Sequence, residues 1–146
     1  MKKINNFLSE FAKANEDYET SNDYFLEQLS ADNKKDPLVL LKDFYRFEKE
    51  NNTILKGFND WKKQLLEDNK NFWLNGGYWL KVKPQSYGSN LSPKEKLVEL
   101  LIEEIGEPTQ VFYVDIESDS YFACSYLEVL FISKEGVYLL SFQVHD

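Results

Sequence analysis

The sequence predicts an α+β fold, with N-terminal helices and one later helix packed on a C-terminal antiparallel β-meander. Three observations carry this prediction. Apolar side chains recur at helical spacing through about residues 1–70, and the period shortens to two after Asn69. The strand-like runs near the C-terminal end then follow one another with links too short for a crossover helix. Helices followed by consecutive strands fit helices laid over one face of a sheet. The chain has 146 residues, 42% hydrophobic and 16% aromatic, enough to bury a sizeable core. The expectation is a single domain spanning 1–146, with a helical half at about 1–70 and a sheet-containing half at about 71–146. No internal repeat, low-complexity tract or interdomain linker interrupts it.

Taken in order, Ile4, Phe7, Leu8 and Phe11 have the spacing of one helical face. Thr20 or Ser21 is placed to cap a second helix that buries Tyr24, Phe25 and Leu29. Asp36-Pro37 is a strong start signal: the carboxylate caps free amides, and proline in the first turn forfeits no helical hydrogen bond. The helix after it presents Leu40, Leu41, Phe44 and Phe47 inward. A fourth helix starts at Asn52 or Thr53 and carries Ile54, Phe58, Trp61 and Leu65 as a narrow stripe, with Gly57 inside it.

Asn75-Gly76-Gly77 is a turn signal, followed by alternation through Tyr78–Lys83 and preceded by a possible partner strand at Phe72–Leu74. Residues 84–90 read as a polar loop. Ser92-Pro93-Lys94-Glu95 then has the form of a capping box, in which Ser92 and Glu95 satisfy each other's backbone amides. Leu97, Leu100, Leu101 and Ile105 form the buried face of that helix, Gly106 ends it in the left-handed conformation, and Pro108 blocks its continuation. Strands are expected at Val111–Ile116, Tyr121–Ser125, Leu127–Ile132 and Val137–Val144, with the tightest turn at Ser133–Gly136.

The segment from Ser92 onward resembles the repeat unit of the β-lactamase-inhibitor-protein and outer-membrane assembly lipoprotein folds. The residues that carry the resemblance are Ser92–Glu95, Ile105–Pro108, Leu127–Phe131 and Gly136-Val137. It covers about a third of the chain, its pieces occur in any helix-then-meander unit, and the lipid-attachment cysteine of the lipoproteins is absent. What it implies is a binding module, not an enzyme.

Charge is the best functional clue. From Val98 to Asp146 there are ten acidic residues and one basic residue, Lys134; the first 97 residues hold 16 basic and 15 acidic. An acidic segment attracts a basic partner and repels nucleic acid and anionic membranes. The leading expectation is therefore a non-catalytic acidic binding protein, in concrete terms a bacterial immunity protein that neutralises a basic toxin such as a nuclease. The candidate partner-binding residues are Asp115, Glu117, Asp119 and Glu128, with Tyr113, Tyr121 and Tyr126 as aromatic anchors. The alternative is a small-molecule or peptide-binding domain with an aromatic pocket built from Trp61, Trp73, Tyr78 and Trp79. The bacterial source is an association with the Asn- and Lys-rich composition, and the cytoplasm is the default compartment in the absence of a secretory signal or membrane span.

Catalytic, cofactor and metal residues are not expected. His145 is the only histidine and lies next to the last residue, where chains fray; no serine elbow, zinc pattern or phosphate loop occurs. Asp115, Glu117 and Asp119 have the spacing that opens an EF-hand loop. The match then fails, because Ser120 replaces the required glycine and Tyr126 the bidentate glutamate. Cys124 is alone, so no intramolecular disulfide forms, and its apolar neighbours suggest a buried, inert thiol.

Overall fold

The computed structural model describes residues 1–16, 20–67, 92–116, 122–123 and 125–145. The elements are α1 (Lys2–Ala14), β1 (Ser21–Ser30), α2 (Pro37–Tyr45), β2 (Ile54–Gly57), α3 (Trp61–Glu67), α4 (Pro93–Ile105), β3 (Gln110–Asp115), β4 (Ser125–Ser133) and β5 (Gly136–His145). The strands form one antiparallel sheet of order β1-β5-β4-β3-β2. The expected meander β3-β4-β5 is at its centre. The expected turn joins β4 to β5, with Ser133 opposite Gly136.

The helical half contains two strands that the apolar spacing concealed. Thr20 and Ser21 do not open a helix; Ser21–Ser30 is an edge strand paired with β5. Tyr24 and Leu26 pack on one sheet face, while Phe25 and Leu29 pack on the other. A strand with apolar residues on both faces need not alternate polar with apolar, so these residues can fall at helix-like intervals. Likewise, Ile54–Gly57 is a short edge strand on β3, and the helix begins only at Trp61. Trp61 and Leu65 are buried as expected, but Ile54 is 48% exposed.

The two sheet faces also differ from a one-sided helical cover. The larger core packs Ile4, Phe7, Leu8 and Phe11 of α1, Trp61 and Leu65 of α3, and Leu97, Leu100, Leu101 and Ile105 of α4 against Leu127, Val129, Phe131, Leu140 and Phe142. The opposite face is covered by α2, which buries Leu41 among Val114, Leu130, Val137 and Leu139. Of the inward set expected for α2, Phe44 is 40% exposed and Phe47 follows the helix end. β5, inside the sheet, is buried from Gly136 through Gln143.

Local stop and start signals behave as their chemistry requires. Asp36 Oδ1 accepts from the amides of Leu38 (2.9 Å) and Val39 (3.3 Å). Ser92 and Glu95 form the reciprocal capping box. Gly106 has φ 75° but ψ −176°, so it reaches positive φ without entering the left-handed helical basin. The possible hairpin at 72–83, the loop at 84–90, Tyr121 and Cys124 lie outside the described residues; of the rest of the strand expected at Tyr121–Ser125, Phe122 and Ala123 are not in a strand and Ser125 opens β4.

The outer edge of β1 is partly closed by α1. The Asn5 carboxamide accepts from the Leu26 amide (2.8 Å) and donates to the Leu26 carbonyl (3.0 Å), as a neighbouring strand would. Asn22 donates to the Ala12 carbonyl at the other end of α1 (3.0 Å). Leaving both Leu26 groups without partners is expected to cost about 1–3 kcal/mol. Asn5→Ala should lower the urea midpoint accordingly; an unchanged midpoint would mean that solvent serves this edge equally well.

Candidate functional site

The sheet face beneath α2 holds a polar cluster within an apolar layer. Glu128 on β4 lies opposite Ser141 on β5, and Gln143 and His145 follow Ser141 at the period of one strand face. Tyr45 is the last residue of α2, which stops where Arg46 takes φ 58°. Its hydroxyl donates to Glu128 Oε1. Gln143 Nε2 lies 3.1 Å from the same oxygen, 3.0 Å from the Tyr45 hydroxyl and 2.9 Å from Ser141 Oγ. Gln143 Oε1 faces His145 Nε2 at 3.0 Å, so a proton on Nε2 fixes which end of the amide turns toward Glu128.

Glu128 is 0% exposed, and its Oε2 has no hydrogen-bond partner among the described residues. Burial pushes its carboxyl up to about 8; the dipoles of Ser141, Tyr45 and Gln143 offset part of this, and the charge of Asp23 adds to it. No ion pair to Glu128 occurs among the described residues. The group is thus a neutral acid at neutral pH, with Oε2 the oxygen left to carry the proton. Burial, followed by the Glu128 charge, also raises the Tyr45 hydroxyl. Aromatic rings surround the cluster: Phe122 meets Tyr45 edge-on at 5.0 Å, Phe47 stacks on Tyr45 at 5.4 Å, and Tyr126 meets Phe122 at 5.4 Å.

A second feature lies on the surface. A groove of about 740 Å³ runs between the end of α4 and the β4–β5 turn, lined in part by Gln28, Glu103, Glu104, Glu107, Lys134, Glu135 and Tyr138. Three of its acids sit in or just after the last turn of α4, which has no basic residue. Carboxylates there face the negative end of the helix dipole, which disfavours them. Ion pairs compensate in part: Glu104 with the Met1 amino group (2.7 Å), Glu103 with Lys3 (3.3 Å) and Glu107 with Lys62 (2.5 Å).

Four of the seven candidate residues from the sequence lie among the described residues, and these four do not share one surface. Glu117, Asp119 and Tyr121 lie outside the described residues. Asp115 ends β3 and pairs with Lys56 at 3.4 Å. Tyr113 stacks loosely on Phe58 at 6.4 Å and packs on the larger core. Tyr126 is on the α2 face, where its hydroxyl accepts from the Ile116 amide (3.0 Å) and donates to the Ile116 carbonyl (3.1 Å). Glu128, expected as a surface acid, is fully buried, because β4 sits inside the sheet and α2 covers it; it offers no carboxylate to a partner. Trp61, proposed for an aromatic pocket, is 8% exposed and meets Phe131 edge-on at 5.2 Å in the core. Trp73, Tyr78 and Trp79 lie outside the described residues. His145 is held in β5 opposite Ser21, not frayed.

Tyr45, Ser141 and Gln143 were not anticipated. Their signal was present: polar residues two apart in an apolar strand, and a lone acid within Leu127–Ile132, mark one sheet face as a buried polar patch. No group of three or more His, Cys, Asp or Glu suited to a metal ion occurs among the described residues, and no described helix is long and apolar enough to cross a membrane.

The chain therefore has an α+β fold, with a five-stranded antiparallel sheet among the described residues and helices on both of its faces. Two crystal structures of citrus MAF1 are similar to it. The form in space group P 31 2 1 has a TM-score of 0.62 at 17% identity, covering 99% of this chain and 97% of that one. The form in C 2 2 21 has a TM-score of 0.58 at 15% identity, covering 99% and 98%. At these identities the likeness is one of fold. No protein-family model matches the chain, and no curated protein matches it.

Proposed function

We propose that this chain is an acidic binding protein for a basic protein partner, in concrete terms a bacterial immunity protein that neutralises a cationic toxin such as a nuclease. The observation that carries this reading is the placement of Glu103, Glu104 and Glu107 at the end of α4 that repels them, joined by Glu135 across one groove. Acids set against a local electrostatic preference point to a role other than folding. The acidic last third of the chain supports the same reading. The groove, in place of the buried Glu128, is the contact surface this reading uses.

Charge of this kind acts mainly on encounter. A basic partner captured from the source organism should associate about tenfold more slowly with a Glu103→Gln, Glu107→Gln, Glu135→Gln triple variant at low salt. The wild-type rate should fall toward that of the variant between about 50 mM and about 500 mM salt. A partner of neutral or acidic character, or equal association rates for the two proteins at low salt, would overturn the reading.

A further inference from the structure

The buried cluster also defines what holds α2 in place. This helix has nine residues and fully buries one side chain, Leu41. Its last residue, Tyr45, connects it to the sheet through Glu128 and Gln143. Elements with few buried contacts are the ones that open first. Under Tyr45 lies a carboxyl that is 0% exposed, with two donors on Oε1 and none on Oε2 among the described residues.

We propose that α2 is a pH-operated flap: it stays docked on the sheet while Glu128 is neutral, and it lifts to admit water when Glu128 ionises.

The charges facing the cluster favour this direction. From α2 comes Tyr45, a neutral hydroxyl; from β5 come Ser141, Gln143 and, behind Gln143, His145; from β1 comes Asp23, a second negative charge. Tyr126 of β4 is hydrogen-bonded to Ile116, beyond Asp115 of β3, and Asp115 is paired with Lys56 of β2. None of these groups brings a cation into contact with Glu128. Loss of the proton leaves a charge on Oε2 among aromatic rings, a state that a low-dielectric interior does not sustain without water. Lifting α2 removes Tyr45 and opens that oxygen to solvent while β4 and β5 remain paired. The carboxyl shift toward alkaline pH agrees with this geometry.

The test is hydrogen exchange followed by mass spectrometry on the full chain from mildly acid to alkaline pH, with each rate divided by the intrinsic rate at that pH. Protection of residues 37–47 should fall by up to about tenfold per pH unit between about pH 4.5 and the titration midpoint of Glu128 at about 8, and level off above it, while β4 and β5 keep theirs. In Glu128→Gln the protection of α2 should not change with pH. A pH-independent α2 in the wild type, a parallel loss in the sheet, or the same fall in the Gln variant would each overturn the proposal. If the variant does not fold, the wild type suffices. The carboxylic-acid band of Glu128 in the infrared should then disappear at the pH where the fall in α2 protection levels off, and a band lost well before that pH, or surviving beyond it, would rule the flap out.

Discussion

Gly136→Ala should remove a large part of the stability of this protein. A Cβ at Gly136 would stand 2.1 Å from the Ser30 carbonyl oxygen, 2.9 Å from Gln28 Nε2 and 3.1 Å from the Ser30 carbonyl carbon. Two of these atoms are backbone, so no side-chain rotation relieves the contact. The residue also has φ 144°, which an L side chain rarely adopts. The close approach arises because β1 shifts register between Gln28 and Ser30, which brings the Ser30 carbonyl over the start of β5. Strain and overpacking together should cost about 3–5 kcal/mol, a third or more of the stability of an ordinary domain. Gly106→Ala is the control. Gly106 also has positive φ, at 75°, but nothing lies within 4 Å of its added Cβ. It should cost about 1–2 kcal/mol. Urea midpoints separate the two, and equal losses would show that β1 does not approach Gly136 as closely as described.

The second large effect is a pH dependence of opposite sense to ordinary acid denaturation. The carboxyl of Glu128 moves from 4.5 in the unfolded chain up to about 8 in the folded one, because burial penalises its charged form. Between these values the folded protein binds more protons than the unfolded, so stability falls as pH rises. The contribution is complete below about pH 4.5 and is lost as pH passes through about 8. On full burial its size is on the order of 5 kcal/mol. Lifting of α2 would stop the decline early, so the slope on the acid side of neutrality is the informative part. Glu128→Gln imitates the protonated acid and should lack this slope, becoming more stable than the wild type in alkali. Subtracting the two profiles removes the contribution of every other group. Parallel profiles would mean that Glu128 is charged in the folded state.

What was legible in the sequence was local. Asp36-Pro37, Ser92–Glu95 and Ser133–Gly136 act within four residues, and each behaved as its chemistry requires. The central meander was also legible, because its strands pair with sequence neighbours. β1 was not, since its partner is the distant β5 and apolar residues occur on both of its faces. β2 has four residues, too few to show a period. The site was obscured for a related reason. A count of charges treats Glu128 like Glu103, yet one is sealed beneath α2 and the other stands half in water. Only the pairing of β4 with β5 brings Glu128, Ser141 and Gln143 together, and only the position of α2 brings Tyr45 to them.

The place of β5 in the sheet also sets an order of assembly. It is the last of the described strands along the chain, and it lies between β4 and β1, the first of them. Until Gly136–His145 exists, β1 has no sheet to join and α1 only part of a surface to cover. Pairing β1 with so distant a strand defers much of the contact energy to a late step, which raises contact order and slows folding. A nascent chain lacking this strand leaves the edges of both β1 and β4 open, and such edges are where partly made chains associate.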